Sequence, residues 1–394
     1  MSVISVRGLK TPVDGHREDA GMKVIDQGTV FSSRRGTDWQ SCTFPGICVL
    51  PGGRWLCTFR AARTKIGPIE CTLLTWSDNE GKTWAEPVRP WKMPHAGKRM
   101  GMDHCGYCTA LGDRHVMAVL CWVDRSDPDL PFFNEESEGI LDCRILLSES
   151  EDDGWTWSPP RFCDTLSFDR PAPLTGPVLR LANGDLACQF ELDKPYSLLE
   201  RWPHAAMLMF SSDGGQTWAE RVETASDPEC KIVYWDQRAA VLSDGRMLDV
   251  FWTCHRESGQ YLNIHAREST DHGRTWSKMW DTGVPGQPAA VVSVPDGRVA
   301  MGYVNRTGPP AVELRMSSDG GRTWSQEPKT VIYQAVKGSQ TRSKNQIQDA
   351  WAEMNKYSVG LPATAITPEG DLLMVYYAGQ ETDFTDIHWA CVRA

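Results

Sequence analysis

The chain has 394 residues, and 41 Lys and Arg against 51 Asp and Glu give it a net charge of -10. Hydrophobic residues at 41% and charged residues at 23% are ordinary globular values and exclude general disorder. The acidic balance argues against a non-specific nucleic-acid binder, and no run approaches the roughly 18 apolar residues of a membrane helix.

The first twenty residues lack the apolar core of a secretory signal. Thirteen Cys, an odd number, are scattered through strand-like runs such as Ile47-Cys48-Val49. Both features predict reduced thiols and a cytoplasmic setting. Cys105 and Cys108 form one Cys-x-x-Cys without a second pair at zinc-ribbon spacing, so they read as small hydrophobes beside a strand. Phosphate-loop and His-Glu-x-x-His motifs are missing, and neither metal nor cofactor is expected.

In chain order, residues 1–21 read as a lead-in and 22–30 as a strand. Tight turns between apolar runs follow at Pro51-Gly52-Gly53, Leu111-Gly112-Asp113, Ala182-Asn183-Gly184, Ser243-Asp244-Gly245, Pro295-Asp296-Gly297 and Pro368-Glu369-Gly370. Each is a hairpin signature. Between them recurs the octapeptide Ser-x-Asp-x-Gly-x-Thr-Trp, complete at 150–157, 211–218, 269–276 and 317–324. A copy at 77–84 carries Asn79 in the Asp place. Asp or Asn bonds nearby backbone amides, Gly accepts a positive φ, and Trp is a large apolar plug. These Asp residues therefore build turns and are poor catalytic candidates.

Six hairpin turns and five octapeptides predict six four-stranded antiparallel units arranged as an all-β, six-bladed β-propeller. One domain spans 22–394, and strand 22–30 completes the last unit, which is otherwise a strand short. Parity along each unit puts hairpin turns and octapeptides on one face. The longer connections 92–104, 123–142, 163–175, 191–204, 224–236 and 332–357 fall on the other, where binding groups collect.

That second face carries Arg60, Arg63, Asp103, His104, Glu191, Asp193, Tyr234, Trp235, Asp236, Arg238, His255, Arg306 and Tyr357. Carboxylates near arginines and aromatics suit glycoside cleavage, in which one acid protonates while another attacks or activates water. Trp235 and Tyr357 are placed to stack on a sugar ring.

The octapeptides and the six-turn frame resemble the sialidase superfamily of Asp-box propellers over nearly the whole chain. The resemblance implies an arginine clamp on a substrate carboxylate, a Tyr nucleophile polarised by an acid, and an Asp acid/base. Phe59-Arg60-Ala61-Ala62-Arg63 is similar to the family's Phe-Ala-Glu-Ala-Arg, so Arg63 maps onto a family arginine. The family's first-strand arginine falls at Thr43-Phe44-Pro45, where none stands. Its Asp is missing from Thr64–Ile69, and Glu70 is the nearest carboxylate. Asp236 falls where the family places its Glu, and Tyr357-Ser358 resembles the nucleophile Tyr-Ser.

The expected activity is an exo-acting glycoside hydrolase that cleaves a terminal, acidic or unusual sugar from a glycan. Asp236 pairs with Glu191 or Asp103 as acid and base, and Tyr357, polarised by Asp236, serves as nucleophile if the sugar is a ketose acid. A clamp rebuilt from Arg238, Arg306 or Arg342 replaces the missing arginine. Alternatives are a uronate-glycan lyase using His104 or His255 as proton shuttle, and a non-catalytic sugar-binding propeller. A glycan or small sugar is the expected partner, with neither nucleic acid nor membrane involved.

Overall fold

A computed structural model describes residues 22–163, 170–325, 329–336 and 341–393; the lead-in 1–21 lies outside them. The described chain is all-β, a β-propeller with one short helix. After β1 (Lys23–Phe31) come β2 (Ser41–Val49), β3 (Trp55–Ala62) and β4 (Glu70–Ser77). Next are β5 (Gly101–Ala110), β6 (Val116–Asp124), β7 (Cys143–Ser150) and β8 (Arg161–Phe162), then β9 (Leu179–Arg180), β10 (Leu186–Leu192), β11 (Ala205–Ser211) and β12 (Glu220–Ser226). A five-stranded group follows: β13 (Ile232–Val241), β14 (Met247–His255), β15 (Gln260–Tyr261), β16 (Asn263–Ser269) and β17 (Trp280–Pro285). The chain continues through β18 (Gln287–Ser293), β19 (Val299–Asn305), β20 (Ala311–Ser317) and β21 (Thr330–Gln334). It ends with α1 (Ile347–Met354), β22 (Val359–Ile366), β23 (Leu372–Glu381) and β24 (Phe384–Arg393).

Hydrogen bonding joins these strands into sheets of four, four, four and five strands plus one of seven. This corrects the expectation of six separate four-stranded sheets. The seven-stranded sheet contains β22–β23–β24 with β1 on one side and β2–β3–β4 on the other. A single parallel residue pair, Ser41 with Thr385, welds the two sides. Thr385 Oγ1 completes the weld, accepting from the Cys42 amide at 3.0 Å and donating to its carbonyl at 2.6 Å. Strand β1 runs antiparallel to β24 from Lys23–Arg393 to Phe31–Ile387, so the two ends of the described chain share one sheet.

Strands of neighbouring sheets touch: β2 against β5, β9 and β10 against β13, β13 against β18, β18 against β22, and β22 against β2. Apolar layers fill the spaces between neighbouring sheets, and the thirteen cysteines are all buried free thiols within the fold. The octapeptide tryptophans plug these layers. Trp218 and Trp324 are 3% and 4% exposed, while Trp84, Trp157 and Trp276 pack from the edge.

The octapeptides share one set of Ser, Asp or Asn, Gly and Thr bonds, to which the copies ending at Trp157, Trp218 and Trp276 add an indole bond. Ser150 Oγ accepts from the Gly154 amide at 2.9 Å and donates to Asp152 Oδ1 at 2.8 Å. Asp152 also accepts from the Thr156 amide and hydroxyl at 2.8 and 2.6 Å, and Trp157 Nε1 donates to the Gly154 carbonyl. The copy at Ser211–Trp218 repeats every one of these bonds. In the Asn79 copy the amide nitrogen donates to Thr83 Oγ1 instead, reversing one bond without opening the turn.

Because Asp213 is committed to turn bonds and stands far from the opposite face in the chain's alternation, Asp213→Ala should lower the melting temperature by a few degrees while the fold persists. Thermal unfolding followed by circular dichroism checks this. An unchanged melting temperature would contradict the turn-building role.

Candidate active site

At the level of the long connections, five inner strands each carry an irregularity. Register against the next strand slips between Thr43 and Gly46, Asp103 and Cys105, Trp235 and Arg238, Gln287 and Ala289, and Gly360 and Ala363. A bulge of this kind re-aims a side chain. Phe44, His104, Asp236, Pro288 and Leu361 sit in these slips, and all five line one cavity of about 660 Å³. Phe44, Asp236 and Leu361 hold φ angles of 51°, 50° and 50°. Each left-handed conformation costs of order 1–3 kcal/mol, which the surrounding pairing must offset.

One side of the floor is organised by Glu70, the first residue of β4. Its carboxylate meets Arg60 Nε at 2.5 Å, Arg125 Nη2 at 2.9 Å and His104 Nδ1 at 2.8 Å. Burial alone would raise its pKa, but His104, Arg60 and Arg125 together hold it well below the usual carboxylate range. Arg60 is 1% exposed, and its Nη1 has no hydrogen-bond partner, as is also true of Arg125 Nε. The His104 ring lies between Phe44, at 5.0 Å, and Phe132, stacked at 4.9 Å.

The other side gathers Asp236, Arg306, Lys65, Tyr357 and Tyr377. The Asp236 amide donates to Glu191 Oε1 at 2.6 Å, and its carboxylate stands 3.7 Å from Arg238 Nη2. Burial lifts the Asp236 pKa to about 6; Arg238 opposes the shift and Glu191 adds to it. Tyr377 is buried, which raises its hydroxyl pKa to about 12; Arg306 pulls down and Asp236 pushes up. Lys65 Nζ donates to the Met354 carbonyl at 2.8 Å and the Tyr357 carbonyl, and lies 3.5 Å from Tyr377 Oη. These three acceptors match the three hydrogens of an ammonium. Burial, then Arg306 and Arg60, push the Lys65 pKa down.

Two connections form the mouth. The segment 125–141 brings Phe132, Phe133 and Arg125, and the segment 342–357 brings α1 with Trp351 and Met354. Phe133 stacks on Trp351 at 4.1 Å and 16°. Glu138 ties the two segments to β14, accepting from Gln348 at 3.1 Å and from Arg256 at 2.6 Å.

Of the residues expected from sequence, Arg60, His104, Asp236, Arg306 and Tyr357 meet in this cavity. The others do not line it. Arg63 is exposed and 3.8 Å from Asp38. Asp103 is sealed against the Thr72 amide at 2.7 Å and Arg89 at 3.2 Å, and burial raises its pKa to about 6. Glu191 stands behind Asp236, where His204 Nε2 is 3.1 Å away. Trp235 packs edge-on against Trp351 at 5.4 Å. Arg238 donates to the carbonyls of Thr175 and Gln237 and lines a separate cavity of about 350 Å³. His255 bonds Ser258 at 3.0 Å. Tyr357 is not polarised by Asp236: its hydroxyl donates to Glu353 at 2.7 Å, its ring lies 3.7 Å from the Arg306 guanidinium, and burial raises its pKa.

Sequence reasoning passed over Lys65, Arg125 and Tyr377. Arg125 lies in a long connection and was findable there; Tyr377 sits in an apolar strand, Leu372–Glu381, with nothing to mark it.

Among the described residues, Glu191, Asp193 and His204 bring ligand atoms within 4.8 Å of one another. Arg256 and Lys194 face the same recess of about 10 Å³, with Trp202. Their positive charge opposes a metal cation, and the recess is the size of a single water.

A family model described as a BNR repeat-like domain matches residues 130–374, more than half of the chain. The chain belongs to this family. No curated protein matches it. Among solved structures it is similar to a protein of unknown function from Dyadobacter fermentans, with 17% identity and TM-score 0.70 over 95% of this chain and 99% of that one. It also resembles a Hadza microbial sialidase, with 14% identity and TM-score 0.64 over 90% and 66% of the two chains. The Penicillium chrysogenum alpha-L-arabinanase solved with arabinobiose gives 15% identity and TM-score 0.62 over 94% and 98%. At these identities the likeness establishes the β-propeller fold alone.

The BNR repeat-like chain rests its floor on Glu70, so Glu70→Gln should cost roughly 3–5 kcal/mol by leaving Arg60 and Arg125 buried without a counter-ion. The folded pKa of Glu70 lies below the unfolded one, so its contribution is present at neutral pH. That contribution shrinks as pH falls below about 4.3 toward the depressed folded value. Urea unfolding of wild type and variant at pH 7 and pH 3 checks both the size and the convergence.

Proposed function

We propose that the chain is a sialidase-like glycoside hydrolase acting on the terminal acidic sugar of a glycan. The observation that carries this reading is the cavity lining, which gathers Arg60, Arg125, Arg306 and Lys65 with Asp236 and Tyr377. Three guanidinium groups, of which Arg60 and Arg125 share the single Glu70 carboxylate, in a pocket with aromatic walls suit a sugar bearing a carboxylate or comparable anion. The sialidase and arabinanase named above support the reaction class by fold analogy.

In this reading the roles assigned from sequence shift. The expected carboxylate pair of Asp236 with Glu191 or Asp103 gives way to a phenol–carboxylate pair, because Glu191 and Asp103 stand outside the cavity. Tyr377 attacks the anomeric carbon and its proton passes to Asp236, while Arg306 and Lys65 hold the phenol oxygen and favour its anionic form. The glycosidic C–O bond breaks as His104, held by Glu70, protonates the leaving oxygen. Water then attacks the sugar–tyrosine bond with the proton transfers reversed, which regenerates Tyr377. Glu191 positions Asp236 through its amide.

A screen of aryl glycosides and acidic oligosaccharides, read by product release, tests the activity. Asp236→Asn should lower turnover of any substrate found by about 100-fold or more with folding intact. Wild-type activity should fall as pH drops through about 6, since the base needs its ionised carboxylate. An acid limb nearer pH 4 would remove Asp236 from that role.

Tyr377→Phe should match the Asp236→Asn loss to within an order of magnitude. Tyr357→Phe should cost less, because the Tyr357 hydroxyl is bound to Glu353. The reverse ranking in kcat would return the nucleophile to Tyr357. Wild-type binding of an acidic sugar without turnover of any substrate would leave a sugar-binding propeller.

A further inference from the structure

The cavity is chemically divided, and the division bears on what must be attached to the sugar. Its basic groups sit at the base, around Glu70 and Asp236. Toward solvent the lining is aliphatic and aromatic apart from the exposed carboxylates Glu135 and Glu136. Ile66 and Leu130 line the cavity yet remain 60% and 37% exposed, and Phe133 and Trp351 form the stacked pair beside them. A hydrophilic oligosaccharide gains little from open aliphatic side chains, and exposed apolar groups grouped at a pocket rim usually mark a binding surface.

Resting on the hydrolase reading above, we propose that the substrate is an amphiphile whose anionic sugar occupies the cationic base. An aryl or alkyl aglycone then packs between Ile66, Leu130, Phe133 and Trp351. Charge complementarity at the base and its continuity with the apolar rim fix the orientation: the anion enters first and the apolar group stays at the mouth. The two rim residues come from different connections, Ile66 between β3 and β4 and Leu130 between β6 and β7, so the aglycone bridges neighbouring sheets. Closing apolar groups over an aryl ring removes both from water.

The test uses 8-anilinonaphthalene-1-sulfonate, an anionic aryl compound with no glycosidic bond, titrated into the full chain and read by fluorescence. The expected result is saturable one-to-one binding, weakened about tenfold in the Ile66→Asp/Leu130→Asp double variant. Both positions are solvent-exposed, and matching melting temperatures establish that the variant folds. Absence of saturable binding, or binding unchanged in the double variant, overturns the proposal.

A second measurement separates this proposal from the hydrolase reading. With any sugar found to be cleaved, kcat/KM should favour the aryl over the methyl glycoside, and the double variant should remove that preference. Equal preference in wild type sinks the aglycone site but spares the hydrolase. Rim-dependent binding of the probe without cleavage of any glycoside does the opposite.

Discussion

The cavity depends on one backbone device, an extra residue inserted into five inner strands at the same height. A regular antiparallel ladder alternates its side chains between the two faces of a sheet. The slips at Phe44, His104, Asp236, Pro288 and Leu361 break that alternation and turn these residues toward a common space. Three of them are held at positive φ without being glycine. The compensation lies on the opposite face, where self-closed octapeptide turns and buried tryptophans brace the sheets.

Electrostatics then divides the floor into two unlike halves. Glu70 is ionised and saturated by Arg60, Arg125 and His104, so it supports the pocket without being available to react. Asp236 is a carboxylate whose burial raises its pKa instead, because its nearest guanidinium is 3.7 Å away and Glu191 lies behind it. The two acids thus acquire opposite character from their partners. Proton transfer near neutral pH belongs to the second kind.

The mouth adds selectivity of another sort. Segments 125–141 and 342–357 come from widely separated parts of the chain and meet through the Phe133–Trp351 stack and the Glu138 network. Lys65, from a third connection, fastens the second segment by binding the carbonyls of Met354 and Tyr357. The wall that would face a bound molecule is therefore held by contacts far apart in sequence.

Local patterns determined much of this protein. Octapeptides at fixed spacing and Gly-centred turns specify hairpins through bonds within eight residues, so the repeat, the all-β class and the structural role of Asp152, Asp213, Asp271 and Asp319 were legible from sequence. The same parity placed Asp236, His104, Arg60, Arg306 and Tyr357 on one face. Only tertiary structure decided which of them meet. A bulge moves a side chain between faces without changing composition, and the slip between Trp235 and Arg238 sets Asp236 into the cavity while Trp235 packs on Trp351. Tyr377 lay hidden for a different reason. An aromatic in an apolar strand reads as core, and what distinguishes this one is the approach of Arg306, Lys65 and Asp236 from three distant segments. Sheet count also escaped the sequence, because one residue pair between Ser41 and Thr385 merges strands from the two ends of the chain.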